Sequence, residues 1–263
     1  MKLNKLHLTC LSIMLLALTA CNKGDQDFLY KDELFSISLS GYNAGDEELI
    51  VKLGTITFPT SLMPNSSFNH TNAYTFGSAE NQIKLSISEK TSGKLVLERE
   101  LKKEDRTVKE NFLYIDGRIS PMPEKPPVEE GKLKLLYMFQ PSVSNYTEPV
   151  DFVVGKYYST PKVFEEVARA KNVKPYEFGP AITLPTFSTA RQEYNGVMTA
   201  VSFVVRICKA GTNIPYTDGT AYTWNPLSST APKPAASNPS SKLYIFSEAP
   251  VGDIMRFFTR LDQ

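Results

Sequence analysis

Two histidines and three cysteines are all the imidazoles and thiols that 263 residues offer for nucleophilic or metal chemistry: His7, His70, Cys10, Cys21 and Cys208. A Ser/His/Asp or Cys/His mechanism needs a histidine within hydrogen-bond reach of its nucleophile. Beyond Cys21 the only histidine is His70, in a Ser- and Asn-rich stretch that reads as a solvated loop, while the only cysteine is Cys208. Cys208 lies at the end of an apolar alternating run, where an unpaired cysteine serves as a small buried hydrophobe. Zinc asks for three or four His, Cys or acidic ligands at suitable spacing, and the chain has no such set. It also lacks a Walker loop, a Gly-x-Gly-x-x-Gly after a strand, and an acidic calcium loop. The sequence thus assigns no catalytic residue, no metal ligand and no cofactor. A glycosidase working with two carboxylates alone stays open by residue type, but nothing places a pair of acids together, and the chain is read as a non-enzyme.

The remaining candidate for recognition chemistry is the segment holding Tyr216, Asp218, Tyr222 and Trp224, the last being the only tryptophan. Sugars present flat C–H faces rimmed by hydroxyls, so a site for them needs exposed aromatic rings beside polar groups. Tyr and Trp combine an apolar body with a polar tip, and Asp218, Asn213 and Asn225 could meet hydroxyls. The competing reading is that Tyr222 and Trp224, two apart on a strand, both face a core. Tyr157 and Tyr158 pose the same choice.

Cys21 has a chemistry of its own, set by what precedes it. Lys2 and Lys5 begin the chain, an apolar run from Leu6 to Ala17 follows, and Leu18, Thr19 and Ala20 lead into the cysteine. This is a charged region, a short apolar region and a small-residue cleavage site. The run falls short of the ~20 residues a membrane-crossing helix needs. Leu18-Thr19-Ala20-Cys21 resembles the lipobox of bacterial lipoproteins, which implies that residues 1–20 are a signal peptide and that the Cys21 sulfur accepts lipid. Each buried acyl CH₂ contributes about 0.8 kcal/mol, so several chains hold the protein to the membrane permanently. Residues 21–33 then form a polar tether. Cleavage removes two lysines and no acid, so 29 basic residues become 27 against 28 acidic ones. A nearly neutral chain without long charge runs gives no reason to expect nucleic acid.

These groups must be positioned by strands. Phe35, Ile37 and Leu39 alternate with serines, as do Leu49, Val51 and Leu53 with Ile50, Lys52 and Gly54; with a turn at residues 41–45 they read as a hairpin. Residues 60–72 read as a loop. A second hairpin joins Ile83, Leu85 and Ile87 to Leu95 and Leu97 through Ser92 and Gly93. Residues 34–118 are therefore expected to form an N-terminal β-sandwich of immunoglobulin-like size. Residues 119–131, with four prolines and three glutamates, are expected to be a linker. Residues 132–263 are expected to form a C-terminal β domain with one helix. That helix starts at Ser159-Thr160-Pro161 and continues through Val163, Val167 and Ala170. The last strand, from Ile254 to Leu261, is expected inside its sheet. The fold class is all-β: two antiparallel, immunoglobulin-like sandwiches.

Lipobox, tether, small sandwich, proline-rich linker and larger β domain together resemble, in layout, the surface-exposed accessory lipoproteins of Bacteroidota, including glycan-binding proteins of polysaccharide uptake. The resemblance implies an outer-membrane, lipid-anchored location on the cell-surface or periplasmic face. It also implies a non-catalytic role in binding glycan through Trp224, Tyr222, Tyr216 and Asp218. The alternative is a structural or adhesive surface protein, part of a fimbrial or envelope assembly, whose sheet edges bind an envelope protein partner.

Overall fold

The computed structural model describes residues 34–263; the signal peptide, Cys21 and the tether lie outside the described residues. No described helix is long and apolar enough to cross a membrane.

The first sandwich comprises β1 (Leu34–Asn43), β2 (Leu49–Leu53), β3 (Ile56–Thr57), β4 (Ser66–Thr75), β5 (Gln82–Glu89), β6 (Leu95–Lys102), β7 (Thr107–Ile115) and β8 (Arg118–Pro121). They form two sheets, in the orders β4-β1-β7-β8 and β3-β2-β5-β6. The alternation read from the sequence is the packing pattern. Phe35, Ile37 and Leu39 of β1 and Ile83, Leu85 and Ile87 of β5 meet in one apolar core, as strands with one buried face must. β5 and β6 form the expected hairpin.

The second sandwich comprises β9 (Lys132–Gln140), β10 (Val150–Tyr158), β11 (Val163–Val173), β12 (Ile182–Pro185), β13 (Gln192–Tyr194), β14 (Val197–Thr199), β15 (Val201–Lys209), β16 (Ser240–Glu248) and β17 (Phe257–Asp262). Its sheets run β12-β9-β16-β17 and β11-β10-β15, with β13 and β14 as a separate hairpin. The two sandwiches share one topology. β9, β12, β16 and β17 repeat the pairings of β1, β4, β7 and β8, including a parallel pair of β9 with β16 that matches β1 with β7. β10, β11 and β15 repeat β2, β3 and β5. The place of β6 is taken by an irregular segment that caps the free edge of β15. Tyr216 and Ala231 N–H groups bond the carbonyls of Ile207 and Val205, and Thr230 Oγ1 accepts from Val205 N–H at 2.9 Å.

The expected helix is a strand. Ser159 to Lys162 form the turn of a β10–β11 hairpin, and β11 pairs with β10 through two irregularities of register, one between Val154 and Gly155 and one between Val150 and Phe152. Each inserts one extra residue into β11. The inward positions Val167, Ala168, Ala170 and Val173 therefore lose strict alternation and mimic helical spacing.

Three further expectations change. β1 and β2 are not a hairpin, since they lie in different sheets. Asn43 turns the chain between them, its Nδ2 donating to the Glu47 and Leu62 carbonyls and its Oδ1 accepting from Gly45 N–H at 2.9 Å. Residues 66–72 belong to β4, so His70 is on an edge strand. β17 lies at a sheet edge, hydrogen-bonded to β16 alone, with β4 of the first sandwich beside it.

The proline-rich segment does not hold the sandwiches apart. β8 runs to Pro121 at a sheet edge, where a missing N–H is tolerated, and Met122 is buried with Tyr42, Leu113, Leu136, Met138, Leu243, Ile245 and Leu261. These residues join the end of the first sandwich to the outer face of the β9–β16 pair. The runs Leu135-Leu136-Tyr137-Met138-Phe139 and Leu243-Tyr244-Ile245-Phe246 are apolar at every position because both faces of these strands are covered.

Candidate functional site

Of the four residues expected to hold a ligand, Tyr216 is withdrawn by its position. It is 0 % exposed, its ring stands edge-on to Phe139 at 5.1 Å, and its hydroxyl donates to Glu248 Oε1 at 2.7 Å. Glu248 also accepts from Val143 N–H, Ser144 N–H and Ser144 Oγ. Burial and this carboxylate push the Tyr216 phenol far above its ordinary value. Tyr222 and Trp224 are half-buried against the same core, Trp224 lying 6.1 Å from the Phe257 ring. Asp218 alone is exposed, and it takes an ion pair from Lys209 at 3.3 Å. The amides expected to meet hydroxyls are committed to the fold: Asn213 Oδ1 accepts from Arg169, and Asn225 Oδ1 from the N–H groups of Leu227 and Ser228. Tyr157 and Tyr158 are both buried.

Near that segment, buried Asp151 receives Arg169 Nη1 at 2.9 Å, Asn172 N–H at 2.9 Å and Gly211 N–H at 3.0 Å. Arg169 also donates to the Thr212 carbonyl and to Glu166. This network ties the second β11 irregularity, where Asn172 has φ 55°, to the turn after β15. Its polar groups satisfy one another. Cys208, at the register position facing Asp151, is buried, and desolvation pushes its thiol up to about 11, so it is a packing residue.

A different site opens where the sandwiches meet. A cleft of about 360 Å³ is lined by Asp46, Asn65 and Asp116 from the first sandwich and by Gln140, Ser142, Tyr176, Ser247 and Arg260 from the second. Small-molecule sites favour such domain junctions and span roughly 300–1,000 Å³. Asp46 follows the Asn43 turn, Asp116 sits in the β7–β8 turn, and Asn65 enters β4; Gln140 ends β9, and Arg260 lies on β17.

Three of these residues adopt left-handed backbone conformations: Asn65 at φ 50°, Asp116 at 49° and Tyr176 at 63°. Asn and Asp tolerate this region, whereas for a bulky aromatic residue it is costly. Tyr176 is held there by its N–H on the Phe139 carbonyl at 2.9 Å, and 39 % of it remains exposed. Burial, with the negative field of Glu248, Asp116 and Asp46, keeps its phenol above the ordinary value, so it stays an O–H donor.

The charges of the cleft oppose each other. Asp46 and Asp116 are both exposed; Asp46 touches Asn65 Nδ2 at 3.5 Å, and neither forms an ion pair among the described residues. Arg260 donates through Nε to Ser247 Oγ at 2.9 Å and rests on the Phe258 ring, without a carboxylate partner among the described residues. Gln140 is 3 % exposed, and its Oε1 accepts from Tyr42 O–H at 3.1 Å. The site offers two exposed carboxylates, a guanidinium without a carboxylate partner among the described residues, amides, hydroxyls and one exposed ring: hydrogen-bonding chemistry. Among the described residues no three His, Cys, Asp or Glu gather to hold a metal. Sequence reasoning missed this site because its residues come from separate turns and strand ends.

No protein-family model and no curated protein matches the sequence. Among solved structures, a protein described as a putative adhesin from Bacteroides ovatus matches at 8 % identity and TM-score 0.24, over 90 % of this chain and 98 % of that one. A leucine-rich repeat protein from Bacteroides thetaiotaomicron matches at 12 % identity and TM-score 0.15, over 71 % of this chain and a quarter of that one, 25 %.

Proposed function

We propose that the chain is a non-catalytic, lipid-anchored binding protein of the bacterial outer membrane, an adhesive surface component that holds its ligand in the cleft between its sandwiches. The observation that carries this reading is the cleft itself: charges of both signs without ion-pair partners among the described residues and an exposed, strained tyrosine, at a junction closed by a continuous apolar interface. Its place in the molecule suits the role. The chain enters the first sandwich at Leu34, and the cleft lies at the opposite end of β1, which at about 3.3 Å per residue puts it roughly 30 Å from the tethered pole. The Leu18–Cys21 motif supplies the anchor.

Two measurements on intact cells test the reading. Alkyne-palmitate labelling should mark the wild type and leave Cys21→Ala unlabelled and released; membrane retention of that variant would remove the anchor. Cells carrying the wild type should be retained on immobilised mucin or matrix protein, and cells carrying Asp116→Ala with Arg260→Ala should not. Equal retention of wild-type and gene-deleted cells would refute the adhesive role.

A further inference from the structure

An open sheet edge invites another strand, and proteins guard such edges by short length, proline, charge or a bulge. Most edges of this molecule are guarded in these ways. β3, β13 and β14 run only two or three residues, and β8 and β12 run four and end in proline. β6 and β17 carry charges, β11 is charged and twice interrupted in register, and the edge of β15 is capped. β4 is the exception among the described residues. It runs ten residues without proline or any Lys, Arg, Asp or Glu, and its register with β1 is unbroken. Its counterpart in the second sandwich is β12, the short strand that ends at Pro185.

The backbone phase of β4 fixes what a partner meets. Ser36 N–H donates to the Arg106 carbonyl at 2.9 Å, on the β7 side, so alternate residues of β1 bond β7 and the others bond β4. Ser36 stands opposite Ala73. Ala73, and with it Asn69, Thr71 and Thr75, therefore turns its N–H and C=O away from β1. Among the described residues nothing bonds these outward groups. The second sandwich meets β4 at its other end, where Asn65 lines the cleft with Arg260 and Tyr42, opposite Ser67, is buried in the interface.

We propose that the free stretch Asn69–Thr75 pairs antiparallel with the same stretch of a second copy of the chain, about a two-fold axis at Asn72, between molecules anchored on facing membranes. An edge that pairs with itself closes under a two-fold axis in the antiparallel sense. In this register Asn69 faces the partner's Thr75 and Thr71 faces the partner's Ala73, so each facing pair exchanges both backbone hydrogen bonds. The side chains between them fit as well. His70 and Asn72 lie on the core-side face, opposite Leu39 and Ile37. Both are half-buried, and neither has a hydrogen-bond partner among the described residues. The axis sets Asn72 against the partner's Asn72, and an amide, donor and acceptor at once, is its own complement. A charged strand would find no counter-charge on β4, whereas a second β4 brings no like charges together.

Antiparallel pairing also sets orientation. Leu34, where the described chain begins, stands opposite Thr75, so the two Leu34 positions fall at opposite ends of the paired stretch and the two anchors leave in opposite directions. That arrangement suits molecules reaching out from two cells, and it rests on the lipid-anchored reading above. One strand pair is a small interface, weak alone and effective in number between cells.

Sedimentation of the full-length lipidated protein in detergent tests the pairing. The wild type should dimerise reversibly. Ala73→Pro, at a position whose N–H lies outside the β1 ladder, should keep the wild-type melting temperature and weaken dimerisation tenfold or more. Thr71→Lys with Ala73→Lys changes two exposed side chains, sets like charges opposite each other and should weaken it likewise. Thr71→Lys with Ala73→Glu makes the facing charges opposite and should restore it. This charge exchange decides the matter even if the proline variant fails to fold. A wild type that stays monomeric, or a dimer indifferent to all of these changes, would overturn the proposal. Cells carrying the wild type should clump with one another and exclude gene-deleted cells. Cells carrying Ala73→Pro should stay dispersed yet keep their retention on mucin or matrix protein, since the cleft is untouched. Dimers in solution without clumping, in cells whose Cys21 still takes alkyne-palmitate, would refute the facing-membrane arrangement. If that label is absent too, the lipid-anchored reading fails first and the arrangement with it.

Discussion

The hydroxyl of Tyr216 donates to Glu248 Oε1 at 2.7 Å inside the second sandwich, which makes a residue suited to gripping ligand into a pin between β16 and the segment that caps β15. Hydrogen bonds to a charged group contribute about 1.5–3 kcal/mol. Tyr216→Phe keeps the ring contacts and removes that donor from a buried carboxylate, so it should lower the unfolding free energy in urea by roughly that amount. Cell retention should be unchanged; a binding defect at unchanged stability would return Tyr216 to a ligand role.

Trp224 should behave as a core residue with an idle polar atom. Its Nε1 is buried without an acceptor among the described residues, and an unmade hydrogen bond of this kind costs free energy. Trp224→Phe should therefore be close to neutral. Trp224→Ala should destabilise by about 2 kcal/mol, below the 3–5 kcal/mol of a fully buried tryptophan because the ring is half-exposed. Chemical denaturation of the two variants checks both values.

Cys208 should be silent as a thiol. It is buried with its pKa pushed up to about 11 by desolvation, so little thiolate exists at neutral pH. With Cys21 acylated, a chromogenic disulfide reagent should find no reactive thiol in the native protein at pH 8 and one after unfolding in guanidinium. Rapid stoichiometric labelling of the folded protein would contradict the buried position.

Asp151 and Arg169 should be strongly coupled. Asp151→Ala leaves Arg169 paired with Glu166 but strips the Asn172 and Gly211 N–H groups of their acceptor, and at about 1–3 kcal/mol for a buried group left unsatisfied it should destabilise by roughly 3 kcal/mol. The double variant Asp151→Ala with Arg169→Met should lose clearly less than the sum of the single losses. Glu166 adds a pH signature. Its hydrogen bond from Arg169 holds its carboxyl below the ordinary value, so its contribution is complete above the unfolded-state pKa and is lost as pH falls through the lower folded value. Arg169→Met should flatten that acid limb of the stability curve.

How far the sequence carries depends on whether a signal is local. The β5–β6 hairpin was legible because alternation and a Ser92-Gly93 turn coincide in one stretch. The β11 strand was not, because its register irregularities displace Val167, Ala170 and Val173 from period two and Ser-Thr-Pro serves as well in a hairpin turn as at a helix start. Asn43 carries a turn signal, but nothing in it says that the chain is changing sheets rather than folding back. The cleft was least legible. Asp116 before Gly117 reads only as a turn, and Tyr176 bears no local mark of its left-handed backbone. Gln140 and Arg260 join them only through the docking of the sandwiches. The continuous apolar runs in β9 and β16 were the available sign of that docking, since a strand covered on one face alternates and one covered on both does not.

The interface also decides how the molecule unfolds. A proline-rich linker between independent domains predicts two calorimetric transitions, whereas a shared core predicts coupling. Tyr42 is the residue to perturb. It is fully buried among Leu136, Met138, Leu243 and Ile245 of the other sandwich, and its hydroxyl bonds Gln140 across the junction. Differential scanning calorimetry of the wild type should show a single transition whose calorimetric and van't Hoff enthalpies agree. Tyr42→Ala removes a large buried aromatic at about 3–5 kcal/mol, empties the centre of the interface and frees the Gln140 amide, and should separate the melting of the two sandwiches. Tyr42→Phe, which keeps the ring, should retain the single transition with a modest loss of stability. Two resolved transitions in the wild type would show the sandwiches to be independent, and the cleft between them would then lack a fixed geometry.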